Sequence, residues 1–191
     1  MYFESGYWDD RYQGGRSSGV GSEGDEAEWK RALIEFVIET YEIESILDLG
    51  CGDGQLMFPI LKERQDLKYT GVDISEFIIN KNREVDGFKS EVEFECADIV
   101  EGFQTFKSFD LVIMMDVLFH ASSDYRHEMA IRTMLQSFNR VALFSYWNEG
   151  ADHKHAEHCF YRPVEIPEGF KVTAVGVPNV AIKDVAIVEH D

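Results

Sequence analysis

The stretch Ile46-Leu-Asp48-Leu-Gly50-Cys51-Gly52-Asp53-Gly54-Gln55-Leu56 narrows the fold more than any other part of this chain. Residues 45–50 form a short apolar run stopped by glycine, which reads as a buried strand. A helical stretch follows at about 53–64, shortened or kinked by Pro59. A strand that enters a glycine turn and leaves as a helix is the repeating unit of α/β folds. Glycines there allow backbone angles barred to other residues and a close approach to a ligand. The unpaired N–H groups of the helix start suit the carboxylate end of a bound molecule.

Spacing limits what that ligand is. A dinucleotide fingerprint needs Gly-x-Gly-x-x-Gly, but here the register runs Gly50, Gly52, then Gln55, so the third glycine is missing. The pattern is instead Asp-x-Gly-x-Gly-x-Gly, with Asp48 two positions before the first glycine, placed to accept hydrogen bonds around the loop or from an ammonium group. Asp73 closes a second predicted strand, 68–73, where a carboxylate accepts bonds from two ribose hydroxyls. Asp98 follows a third, 91–96, where it could accept from an adenine amino group, with Ile74 and Ile99 flanking the ring. Any one such acid is as readily a solvated loop residue. Three in register along one sheet edge are not.

The rest of the chain continues the alternation. Trp29, Leu33, Phe36, Val37 and Tyr41 recur at helical spacing over 25–41, and Ser75 is an N-cap for a helix at 76–85. The run 109–115 is continuously apolar, as in a central parallel strand covered on both faces. A helix at 124–136 and a fifth strand at 140–145 follow. Two further strands, 170–177 and 182–188, are joined by Pro178-Asn179 as an antiparallel hairpin at the sheet edge. The expected fold is α/β: a Rossmann-like, doubly wound, mostly parallel seven-stranded sheet with a C-terminal antiparallel hairpin. Residues 25–191 are expected to form this domain. Residues 1–24, Gly- and Ser-rich yet carrying Tyr7, Trp8 and Tyr12, show no helix or strand period. They read either as a flexible leader or as a lid that folds over a ligand site.

Acidic residues number 36 against 18 basic, a formal net charge of -18 that repels phosphate backbones and anionic bilayers, so neither nucleic acid nor membrane is an expected partner. No apolar run reaches the roughly 18–20 residues that span a bilayer, and the first residues lack the basic and apolar regions of a signal peptide. Three cysteines without paired spacing, Cys51, Cys96 and Cys159, fit a reducing compartment; a cytoplasmic location is expected.

With its glycine loop and acids, the region 25–146 resembles the class I S-adenosylmethionine-dependent methyltransferases. The resemblance implies S-adenosylmethionine as cofactor, with its methionine portion held by Asp48, Gly50, Cys51, Gly52 and Gly54. It implies the ribose on Asp73 and the adenine beside Ile74, Asp98 and Ile99, with Met115 and the leader's Tyr12 completing the pocket. The leader and the block Asp116-Val-Leu-Phe-His120 are similar to a bacterial subgroup often associated with surface-polysaccharide gene neighbourhoods.

Methyl transfer is an in-line displacement that also needs a proton acceptor for a hydroxyl or amine nucleophile. His120 is the candidate base, because its ordinary pKa of about 6.5 suits proton uptake near neutrality; a structural histidine bonded to a loop carbonyl is the equal alternative. Asp116 either orients the acceptor or fixes the turn after the fourth strand. Tyr7, Trp8, Tyr12 and Arg11 could close over the cofactor, Arg11 by pairing with its carboxylate. No Asn/Asp-Pro-Pro-aromatic block and no Pro-Cys dipeptide follows the fourth strand, so a small-molecule or sugar hydroxyl is the expected acceptor. The 153–159 segment, rich in His with one Cys, lacks structural zinc spacing and is expected to border the acceptor site without a metal. Two readings compete: a nicotinamide-dependent oxidoreductase, which Gln55 opposes, and a silent S-adenosylmethionine-binding regulatory protein.

Overall fold

The computed structural model describes residues 5–103, 108–148, 159–180 and 182–191. Its centre is a seven-stranded sheet: β1 (Ser45–Leu49), β2 (Lys68–Asp73), β3 (Glu91–Cys96), β4 (Phe109–Met114), β5 (Phe138–Trp147), β6 (Phe170–Gly176) and β7 (Lys183–His190). They lie in the order β3-β2-β1-β4-β5-β7-β6. The first five pair in parallel, and β7 pairs antiparallel with both β5 and β6. The sheet is thus doubly wound as expected. The C-terminal hairpin turns inward, with β7 against β5 and β6 outermost.

Strand alternation sends neighbouring residues to opposite faces, which explains the continuously apolar central strands. Ile46, Leu111 and Val141 join one core with Ile34, Val37 and Ile38 of helix α2 (Gly24–Thr40) and with Ile60 and Leu61 of α3 (Phe58–Glu63). Leu47, Val112 and Ala142 join the other, under Ala130, Ile131 and Met134 of α5 (Asp124–Leu135). Helix α4 (Glu76–Arg83) starts on Ser75, whose hydroxyl accepts from the Ile78 amide. Both faces of the sheet are covered, so the strands β1, β4 and β5 need no polar face.

Two expectations change. Helix α3 starts at Phe58, with Pro59 in its first turn, well after the predicted residue 53; the intervening residues form turns. In the leader, Ser5–Gln13 forms a helix, α1, and Val20–Ser22 a single 3-10 turn. The helix lacks an apolar stripe of its own and is held by tertiary contacts. Asp9 accepts from the Ser75 hydroxyl (2.5 Å) and the Phe77 amide (3.1 Å), while Tyr12 is buried against α4. Among the described residues, no helix is long and apolar enough to cross a membrane.

Candidate functional site

The chain runs outward from β1 to β2 and β3, then returns to β4 on the other side of β1. At that reversal the loops leave the strands' carboxyl ends in opposite directions and open a cleft, the usual ligand position in such sheets. About 1110 Å³ of space lies there, its open mouth included. Of the site residues expected from the sequence, Gly54, Tyr7 and Arg11 do not line it; the other described ones do. A Cβ at Gly54 would run into the Phe58 ring, so this glycine serves the packing of α3.

Gly50 and Gly52 shape the floor. Both have positive φ (84° and 53°), and a Cβ at Gly52 would fill the space taken by the Ser18 hydroxyl and the Tyr12 phenol. The amides of Gly50 and Cys51 both donate to the Val72 carbonyl (2.8 and 3.0 Å). Gly52 donates to Asp73 (2.9 Å), Asp53 to the Ser18 hydroxyl (3.0 Å) and Gly54 to the Cys51 carbonyl (3.2 Å). The expected loop donors for a ligand carboxylate are therefore already engaged within the protein, and the helix start lies four residues further on.

Asp48 and Asp73 stand on the cleft wall, both buried. Asp48 accepts one bond from the Tyr69 phenol (2.9 Å). Burial pushes its carboxyl up to about 7, the Tyr69 bond opposing and the charge of Asp73 adding to the rise. Asp73 accepts from the amides of Gly52 and Ser75, each at 2.9 Å. Burial raises it to about 6 against the pull of those two bonds. Neither forms an ion pair with a cation among the described residues.

Asp98 differs. It sits beyond the end of β3, and both its oxygens accept from Nη2 of Arg126 on α5 (2.9 and 2.8 Å), one also from the Val100 amide (2.9 Å). A carboxylate expected to be available for an adenine amino group is therefore held by a guanidinium. Ile74, Ala97, Ile99 and Ala130 complete that end of the cleft.

Past β4, Asp116 takes a left-handed backbone (φ 58°). Its carboxylate accepts from Lys30 (2.6 Å), Lys183 (3.1 Å) and the Ser145 hydroxyl (2.8 Å). Burial alone would raise this carboxyl, yet the two ammonium groups and these bonds hold it down at about 2. His120 ends a 3-10 turn, Leu118–His120, with its ring edge-on to Trp8 (5.1 Å) and Phe119 (4.8 Å). Its Nδ1 lies 3.7 Å from the Cys159 thiol. Burial, with the charge of Asp116 adding, pushes that thiol up to about 11. The remainder of the 153–159 segment lies outside the described residues.

Trp8, Tyr12 and Ser18 bring the leader to the cleft wall. Arg11 does not line it; its Nε donates to the Ser17 carbonyl (2.7 Å). Tyr7 packs edge-on to Trp8 instead (5.2 Å). Sequence reasoning missed Ser18, Asp53, Lys30, Arg126 and Lys183. Ser18 and Asp53 exchange three hydrogen bonds across the cleft mouth. The Asp53 position inside the glycine loop was the only signal for any of them.

A family model described as a methyltransferase domain matches residues 42–163. The chain belongs to the class I S-adenosylmethionine-dependent methyltransferases. Relatives of this methyltransferase include the tRNA U34 carboxymethyltransferase of Pseudoalteromonas translucida, 24% identical over 86% of this chain and 54% of that protein. The malonyl-[acyl-carrier protein] O-methyltransferase of Acetivibrio thermocellus is 42% identical over 46% of the chain and 32% of its own length. The chain spans about half the length of the first of these curated relatives. Among solved structures, the magnesium protoporphyrin IX methyltransferase of Synechocystis with S-adenosylhomocysteine bound shares the fold at TM-score 0.69 and 15% identity, over 98% of each chain. The nicotinamide reading gives way to this family and its cofactor, S-adenosylmethionine, while methyl transfer itself separates an enzyme from the silent regulatory reading. The cleft of this methyltransferase fits that cofactor, offering a floor of Gly50 and Gly52 and two buried carboxylates for a ligand that carries positive charge.

Proposed function

We propose that this methyltransferase methylates oxygen on a small-molecule or sugar hydroxyl, with His120 as the general base. S-adenosylmethionine, when bound, supplies an electrophilic methyl group on sulfonium sulfur. Asp73 accepts from the ribose hydroxyls and Asp48 from the ammonium group, while Gly50, Cys51 and Gly52 shape the floor beneath the methionine portion. Ile74 and Ile99 flank the adenine. Asp98 steadies Arg126 at that end, and Met115 and Tyr12 close the sides.

The observation that carries the choice of base is the state of the groups around the acceptor end. Asp116 is held by two lysines at about 2 and the Cys159 thiol at about 11, so near neutrality neither takes up a proton. His120 shares the cleft wall with both Asp116 and the cofactor residues, and its ring type titrates in the right range. On this reading Asp116 belongs to the framework of the acceptor end. Trp8, which lines the cleft beside the imidazole, offers flat apolar surface of the kind that sugar rings and small organic acceptors pack on.

A tRNA acceptor is the second reading, because relatives across 86% of the chain carry that substrate in their names. The net charge of -18 opposes a polyanion. Transfer from labelled S-adenosylmethionine to hydroxyl compounds, amines and tRNA separates the two: label in tRNA alone would overturn the hydroxyl assignment. His120→Ala is expected to lower kcat by about 10²–10⁴-fold while leaving S-adenosylhomocysteine affinity within about twofold, since the cofactor is assigned to Asp48 and Asp73. Full transfer by that variant would remove His120 as the base.

A further inference from the structure

We propose that Lys30 is a positioning residue for cofactor capture: it pins the Val20–Ser22 turn and thereby holds residues 5–22 shut over the cleft. This rests on the S-adenosylmethionine assignment but not on the identity of the acceptor.

The leader crosses the whole mouth of the site. Asp9 attaches it at the start of α4 on the ribose side, and Ser18 and Tyr12 sit over Gly52 and Asp53. Trp8 meets His120 on the acceptor side. These attachments run through hydroxyl, carboxylate and ring contacts at the cleft mouth: three hydrogen bonds between Ser18 and Asp53, two accepted by Asp9, and the buried Tyr12 ring.

The rear attachment is of another kind. Lys30 is 0% exposed, and its ammonium donates to the Gly21 carbonyl (2.7 Å) and to the carboxylates of Asp116 (2.6 Å) and Glu26 (2.7 Å). All three of its N–H bonds are thereby used. Lys183 closes the ring by pairing with the same two carboxylates. Gly21 lies so close to Asp116 that a Cβ there would collide with the carboxylate. Hydrophobic burial plays no part in this attachment, because Val20, the one apolar side chain of the turn, is 85% exposed. The turn is held by charge and hydrogen bonds alone.

Two ammonium groups and two carboxylates balance, so the cluster is neutral only while all four are present. Buried ions of this sort hold geometry well because each needs its partner in place. Lys30 does not line the cleft, whereas Ser18 and Ser22 on the segment it pins do. Its influence on the cofactor is therefore indirect: it sets how much of the time the leader is closed.

Lys30→Met keeps the stem and removes the charge; Gly21→Ala keeps every charge and pushes the turn off Asp116. Both are expected to let trypsin cut after Arg11 and Arg16 about 10-fold faster, because cleavage follows the population of the open form. Calorimetry should show S-adenosylhomocysteine bound about 10-fold more weakly, in proportion to the fraction closed. KM for S-adenosylmethionine should rise in step, with kcat at saturation within about twofold. Circular dichroism establishes that each variant is folded, and if Lys30→Met is not, Gly21→Ala decides. A folded variant that resists trypsin as the parent does and binds S-adenosylhomocysteine equally well would overturn the proposal. So would a fall in kcat with KM unchanged. The trypsin arm needs no cofactor, so a failure there counts against the anchor alone and leaves the cofactor assignment standing.

Discussion

Two ends of one cleft treat buried carboxylates in opposite ways. Asp48 and Asp73, proposed above to hold the cofactor, are buried with hydrogen bonds but without a cation among the described residues, and both carboxyls are pushed up, to about 7 and about 6. Asp116, at the acceptor end, keeps 16% of its side chain exposed, faces Lys30 and Lys183, and is held at about 2. Burying an ion without compensation is costly. An acid left in that state is spared for a partner that arrives from outside, and S-adenosylmethionine brings positive charge. An acid already compensated is part of the frame. The same residue type thus reads as a ligand site in one place and as architecture in the other, and the difference lies in what else is buried with it.

The largest effect expected from this contrast is on stability. Asp116→Asn leaves two ammonium groups facing Glu26 alone, and urea unfolding should show a loss of about 3–5 kcal/mol. Unchanged stability with a collapse in kcat would instead make Asp116 a chemical group. Next comes Asp73→Asn, expected to weaken S-adenosylhomocysteine binding about 100-fold, or about 2.7 kcal/mol, through the two ribose bonds to a charged acceptor. Calorimetry reads it directly, and a change under threefold would break the comparison.

The pH dependence comes third, and its sign differs at the two ends. Asp48 and Asp73 have folded values above the ordinary 3.8, so their contribution to stability is full below that value and is lost as pH rises towards 6–7. Their ionised forms are the ones that accept from the ligand's ammonium group and ribose hydroxyls. S-adenosylhomocysteine affinity should therefore climb between pH 5 and 8, by up to about 100-fold per pH unit below 6, where both acids must lose a proton, by up to about tenfold between 6 and 7, and flatten above 7. Asp48→Asn should remove the upper part of the climb. Asp116 behaves oppositely: its contribution is present above 3.8 and lost only as pH falls through about 2, outside that window. The smallest effect is Ser18→Ala, which removes the hydroxyl bonds to Asp53 and should weaken cofactor binding only about threefold.

Much of the fold was legible because the central strands are apolar on both faces, and because glycine marks the end of β1. Asp48 and Asp73 were legible because each stands at a strand end, where the backbone decides which way the residue is carried. What escaped was set by partners distant in the chain. Arg126 reaches Asp98 from another helix, and nothing near Asp98 announces it. Lys30 looks like an exposed polar position on an amphipathic helix, yet it is fully buried, because Gly21 and Asp116 close over it. Helix α1 was invisible for a related reason. Its sequence has little helical pattern, and what orders it is the seat that Asp9 and Tyr12 find on α4 and the glycine loop.

The inward position of β7 has a temporal consequence. Lys183 opens that strand and pairs with Glu26 across 157 residues of chain. During synthesis the leader leaves the ribosome early, but its rear anchor cannot be completed until β7 has been made and inserted beside β5. Contacts of such sequence separation form late in folding. A partly made chain can therefore assemble β1, β2 and the glycine loop with the mouth of the cleft still open. Closure waits for β7, so a tightly held cofactor reports on a completed sheet.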